Sequence, residues 1–254
     1  MHTVGAVLPI SDIAQACRAK NPSILILVDG AHSLGLVPLS MNKLMCDFFT
    51  SSGTKWLLAP EGTGILYARK RLSREANQQF PVWPFTAYQI SDAYYVPFQN
   101  QLGTMESAFF NSCGEPRSLE LGTANLASLI GLDSALNEYT RIGPLKVVER
   151  VAELSELAKT LLRNIDGVDL MFTSNHAVVP GIVCFKVGEI VSYKDVCRIV
   201  SILDREYGVI CRAIPKPPCI RLSLHYSNTQ TDVKQMARAV KEVAFRWTTN
   251  RLAR

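Results

Sequence analysis

The sequence predicts an α/β protein: a larger unit around a mostly parallel sheet, followed by a smaller α+β unit. Three observations carry this. A continuous apolar run, Ile24-Leu25-Ile26-Leu27-Val28, ends in Asp29-Gly30, the pattern of a strand covered on both faces of a parallel sheet. Helical and strand patterns alternate around it, as crossover connections require. After Asp166-Gly167 the pattern changes to short strands alternating with longer amphipathic stretches.

Taken in order, Ile10 to Lys20 reads as a helix, with Ser11 or Asp12 as its cap and Ile13, Ala16 and Cys17 on one face. The strand through Val28 follows, then strands at Cys46–Thr50 and Gly64–Ala68. Phe80 to Pro116 is rich in Pro, aromatics and Ser without a clean period and reads as a long loop or insertion. Helices are predicted at Thr123–Tyr139 and Gly143–Asn164. The second places Val147, Val148, Val151, Leu154, Leu157, Ala158, Leu161 and Leu162 at helical spacing. Strands near Val168–Phe172 and Gly181–Val187, a helix near Tyr193–Tyr207, strands at Gly208–Arg212 and Cys219–Leu224, and a helix at Thr231–Trp247 complete the chain. The boundary falls at the start of the second long helix, giving units 1–142 and 143–254.

Composition narrows the function classes. Hydrophobic residues at 48% and charged residues at 19% describe an ordinary globular chain. The formal charge of +5 is spread along the chain except at Arg69-Lys70-Arg71, so no basic stripe argues for nucleic acid. No apolar run reaches membrane-span length. Seven cysteines without a CxxC, several inside apolar runs, read as buried thiols in a reducing compartment. With no secretory pattern at Met1-His2-Thr3-Val4, the expectation is a cytoplasmic protein. No GxGxxG follows a strand, which argues against a nicotinamide-binding site. No metal site is predicted.

Two segments carry candidate chemistry. Asp29 and His32 lie just past the C-terminal end of the first strand, the sheet edge where open α/β folds bind ligands, although Asp-Gly is also a common turn. Lys55 lies between a hydroxyl-rich turn (Thr50-Ser51-Ser52-Gly53-Thr54) and the apolar run Trp56-Leu57-Leu58. That setting predicts partial desolvation, which lowers an amine's pKa and makes it a better nucleophile. The alternative is a snorkelling surface lysine.

The stretch Ile26–Gly35 resembles the ring-binding segment of the class V aminotransferases, enzymes dependent on pyridoxal 5'-phosphate (PLP). Asp47–Leu57, followed by Pro60-Glu61-Gly62-Thr63-Gly64, resembles their PLP-lysine segment. Leu119–Asn125, Gly181–Phe185 and Cys219–Thr229 resemble three further segments in the family's order, the last being its Arg-x-Ser-x-x-x-x-Asn-Thr segment. The likeness is to the isopenicillin-N-epimerase-like and cysteine-desulfurase-like branch. It implies a PLP-dependent transferase fold of the aspartate aminotransferase type, with residues 1–142 as the C-terminal part of the large domain, and a homodimer.

The resemblance also implies roles. Lys55 forms the Schiff base and then serves as acid–base, Asp29 pairs with the pyridine nitrogen, and Ala31 lies against the ring face. His32 approaches the phenolic oxygen, and Ser52 and Thr54 donate to the phosphate. Thr123 reaches a phosphate across the dimer interface. Arg221 holds the substrate α-carboxylate, its alternative being a surface ion pair. The implied substrate is an amino acid or amino-acid derivative, and the implied chemistry is epimerase, lyase or transaminase.

Departures shape these expectations. Thr54 stands where the family has His. Thr3–Ile10 resembles the middle of the family sequence, so the phosphate-cradling helix turn and the ring-stacking aromatic have no counterpart. That predicts exposed apolar surface and sheet edges, and a second reading: a truncated, non-catalytic homologue acting as an interaction or regulatory subunit. Cysteine desulfurase chemistry ranks lower. Only Ala213–Ile220 separates Arg212 from Arg221, three prolines stiffen that stretch, and Cys219 reads as a core residue.

Overall fold

The computed structural model describes residues 4–69, 125–171, 179–190 and 192–249. Within the first range lie helix α1 (Ile10–Lys20), strand β1 (Leu27–Asp29), the short helix α2 (Met41–Leu44), β2 (Phe48–Ser52) and β3 (Gly64–Ala68). β1 pairs parallel with β2, and β2 pairs antiparallel with β3. The described sheet is therefore mixed, not mostly parallel. β3 returns beside β2 through the Lys55 loop, without a crossover helix.

β1 departs from expectation in burial as well as length. It forms one side of the three-stranded sheet, and Leu27 is 65% exposed, so the apolar run is not covered on both faces by the described residues. Among the described residues no strand pairs with the outer side of β1. α1 spans the expected residues, but neither Ser11 nor Asp12 caps it: Pro9 occupies the N-cap with no side-chain hydrogen bond. Its one buried residue is Ala14, while Ile13 points outward.

Charge anchors α1 where apolar burial does not. Arg18 Nη2 donates to both carboxylate oxygens of Asp47 at 2.8 Å, and Nη1 donates to the Met45 carbonyl at 2.6 Å. Asp47 Oδ2 also accepts the Ile26 N–H at 2.8 Å, and Arg69 lies 3.5 Å from Oδ1. A buried carboxylate with this many donors is a joint between the helix, the entry to β1 and the exit of β3.

The second sheet has the order β4-β5-β7-β6 and is antiparallel throughout, from β4 (Val168–Leu170), β5 (Ile182–Val187), β6 (Arg212–Pro215) and β7 (Pro218–Ser223). Helices α4 (Pro144–Arg163), α5 (Tyr193–Tyr207) and α6 (Gln230–Thr248) cover one face, burying Leu154, Leu162, Phe185, Ile199, Leu203, Ile220 and Val243 in one cluster. α4 presents Val147, Val151, Leu154, Ala158 and Leu162 inward, the stripe the periodicity predicts. α5 and α6 open with capping boxes, Ser192 with Asp195 and Thr229 with Asp232.

The strand expected at Gly208–Arg212 is absent. Gly208 ends α5 in the left-handed conformation (φ 66), and the chain pairs only from Arg212 onward. Arg212 to Arg221 is thus a hairpin rather than a loop, closed by Lys216-Pro217 between Pro215 and Pro218. α3 (Leu126–Ile142), capped by Asn125, precedes α4 and buries no side chain fully. The predicted loop Phe80–Pro116 and Thr123 lie outside the described residues.

Candidate active site

The uncovered face of the second sheet meets the first part of the chain. Cys184, Cys219, Ile182 and Ile214 project from it onto Val4, Leu36 and Trp56. Trp56 is the joint. Its carbonyl accepts a hydrogen bond from His225 Nε2 at 3.1 Å, and the two rings stack at 6.1 Å. Because the carbonyl only accepts, that nitrogen carries the proton, leaving Nδ1 to accept from Ser227 Oγ at 3.0 Å and Ser227 N at 3.4 Å. A Cβ at Gly181 would lie 3.0 Å from Trp56 Cη2 and 2.9 Å from the Leu224 carbonyl, at φ +90, so the fit requires glycine.

This joint brings the predicted residues together. Lys55, next to Trp56, directs Nζ to within 3.4 Å of His32 Nε2. Asp29 ends β1, and its Oδ1 accepts the Ala31 N–H at 2.9 Å, fixing the turn that carries Ala31 and His32. Ser52 and Thr54 share a hydrogen bond between their hydroxyls at 2.8 Å, at the end of β2. Arg221 is 8% exposed on β7, and its charge reaches His32. Thr123 alone of the predicted site residues is not among the described ones.

One expectation fails: Lys55 is exposed, not desolvated, in this chain. Desolvation falls on its neighbours. Burial first, then the charges of Lys55 and Arg221, push the His32 imidazole down to about 4, against a smaller pull from Asp29. Burial, then Arg212, lowers Arg221 from the ordinary arginine value.

The donor pattern suits PLP. A lysine ammonium only donates, so His32 Nε2 accepts and Nδ1 carries the proton. Nδ1 is buried and has no hydrogen-bond partner, a donor in need of an acceptor such as a phenolic oxygen. Around it stand an accessible amine, a carboxylate and paired hydroxyls. Among the described residues no group of three or more His, Cys, Asp or Glu could hold a metal ion, and no helix is long and apolar enough to cross a membrane.

Cys219 is 0% exposed, inside the β6–β7 hairpin. Its thiol and that of Cys184 act on each other, raising the Cys184 thiol and lowering that of Cys219, while the Cys184 Sγ donates to the Val4 carbonyl at 3.7 Å. Burial still withholds Cys219 from any substrate. The residues that sequence reading passed over are His225 as a tie to Trp56, and Arg212 as a neighbour of Arg221. A two-residue hairpin turn at Lys216-Pro217 would have revealed the second by counting outward from it.

The fold is that of PLP-dependent transferases. A cystine C-S lyase in complex with cysteine persulfide shares it at a TM-score of 0.66 and 25% identity, over 93% of this chain and 58% of the other. The cysteine desulfurase of Escherichia coli superposes at a TM-score of 0.67 and 21% identity, over 96% of this chain and 57% of the other. The sequence matches the class-V aminotransferase family over residues 2–236, and the chain belongs to that family. It is 30% identical over 253 residues to isopenicillin N epimerase of Amycolatopsis lactamdurans, covering 96% of this chain and 58% of the relative. It is 29% identical to cysteine desulfurase of Yersinia pestis (strain Pestoides F), over 95% of this chain and 56% of the relative. The chain thus spans somewhat over half the length of these relatives.

Proposed function

We propose that the chain contributes Lys55, Asp29 and Arg221 to a PLP site that acts on an amino acid or amino-acid derivative. The observation that carries this reading is the convergence of the Lys55 amine on the His32 imidazole, 3.4 Å apart, with His32 Nδ1 left as a buried donor without a partner. When bound, PLP supplies an electron sink for the charge left at the substrate α-carbon. Lys55 would hold the cofactor covalently and, once released, carry the proton to and from that carbon. Asp29 would pair with the pyridine nitrogen, and His32 Nδ1–H would donate to the phenolic oxygen. Ala31 would leave room for the ring, and Ser52 and Thr54 would donate to the phosphate. Arg221 would clamp the α-carboxylate.

Thr123 is assigned to a phosphate across a homodimer interface. Exposed Leu126, Leu129 and Ile130 on α3, a few residues beyond it, supply apolar surface for that association. The division into units 1–142 and 143–254 is carried into this reading, with the site between them. The burial of Cys219 favours epimerase, lyase or transaminase chemistry over persulfide transfer.

The test is borohydride reduction of the purified chain supplied with PLP, followed by peptide mass spectrometry. A pyridoxyl adduct on Lys55, lost in Lys55→Ala, is the expected result; an adduct that persists in Lys55→Ala refutes the assignment. Absence of any adduct favours the second reading, an interaction or regulatory homologue, for which the supporting observation is the exposed Leu27 on β1, a strand unpaired on its outer side among the described residues.

A further inference from the structure

The β6–β7 register sets Arg212 directly opposite Arg221. Opposed residues in an antiparallel ladder project on the same face with Cβ atoms about 5 Å apart, and like charges so placed destabilise the pair. Two positions along the same face, the pair Ile214 with Cys219 packs toward Trp56 and Leu36, so the Cβ atoms of both arginines leave the sheet on the site face and not the helix-covered face. On the other side of β7, Cys184 is paired with Arg221, so the ladder row Arg212, Arg221, Cys184 contains no carboxylate. Arg212 is exposed at the sheet edge and makes no ion pair among the described residues. Lys55 and Arg221 already act on His32, and Asp29 is the carboxylate that offsets them there. A carboxylate placed between the opposed arginines would be attracted to both.

From this pairing we infer that Arg212 forms a second carboxylate subsite beside Arg221, so that the preferred substrate is an amino acid with a negatively charged side chain. The inference rests on the reading above in which Arg221 takes the α-carboxylate. The geometry divides the work. The buried guanidinium has a fixed position suited to the invariant α-carboxylate. The exposed one, on the edge strand, has the reach to follow a side-chain carboxylate with its planar fork.

The experiment is calorimetric titration of the full chain, supplied with PLP, with L-glutamate, L-aspartate and L-norvaline, for the wild type, Arg212→Gln, Arg212→Lys and Arg221→Gln. Arg212 is exposed, and unchanged thermal midpoints would confirm that its variants fold. The wild type should bind an acidic amino acid at least about tenfold more tightly than norvaline. Arg212→Gln should weaken acidic binding by about 10- to 100-fold while norvaline stays within about twofold, and Arg212→Lys should recover part of the loss. Equal weakening of norvaline would mean that both arginines clamp the α-carboxylate, and would overturn the inference. So would a loss of PLP affinity with amino-acid binding unchanged, or no preference for acidic ligands. If Arg221→Gln leaves all three ligands unaffected, the Arg221 assignment itself falls, a result distinct from failure at Arg212 alone.

Discussion

Replacing His32 with asparagine should make the protein less sensitive to acid. Burial and the neighbouring charges of Lys55 and Arg221 take the imidazole from 6.5 down to about 4 in the folded chain. Above pH 6.5 the group is neutral whether the chain is folded or not, and it contributes nothing. Between 6.5 and 4 only the unfolded chain binds the proton, so native stability falls as pH falls, by at most about 1.4 kcal/mol per unit. The full shift corresponds to about 3 kcal/mol. Because the ring is partly exposed, solvent screening reduces this to about 1.5 kcal/mol. Urea unfolding at pH 7.5 and 4.5, for wild type and His32→Asn, isolates the contribution, since carboxylates common to both cancel in the double difference. The wild type should lose about 1–1.5 kcal/mol more than the variant between the two conditions. Equal losses, or a greater loss in the variant, would refute the electrostatic account of the site.

Two further variants test what positions the site. A Cβ on Gly30 would stand 2.2 Å from Cζ of the buried Phe49 ring and 2.6 Å from Ser33 Oγ, so Gly30→Ala should cost about 2–3 kcal/mol in chemical denaturation. Asp47→Ala should cost about 2–4 kcal/mol, because it strands the Arg18 guanidinium and the Ile26 N–H together. A double-mutant cycle with Arg18→Ala should return a coupling above about 1 kcal/mol.

Elements with strong local signals were legible in the sequence. α1, β3 and α5 have the residue bounds that periodicity and turn residues predict, and β2 is displaced by only two residues. The strand expected after Gly208 failed for a local reason. Gly-Val-Ile-Cys-Arg has strand composition, but Gly208 is spent on capping α5, and Ile210 is left 87% exposed. The burial of β1 failed for a non-local one, since an apolar run states that cover is needed without supplying it. The site was legible as a set of segments and not as a geometry. Lys55 and His32 are 23 positions apart and Trp56 and His225 are 169 apart, separations that no window along the chain joins. Lys55 follows a strand as expected, but in other surroundings than expected: the Trp56 beside it turns into the core while the lysine faces outward.

The Trp56 joint has a mechanical meaning. His225 and Gly181, on the side of the molecule that carries Arg221, grip the residue adjacent to Lys55. The segment that carries Lys55 is therefore tied, through one indole and one imidazole, to the part of the chain that carries Arg221. In the proposed site that clasp would act as a caliper with locked jaws, setting the span between the Lys55 loop and the strand that carries Arg221.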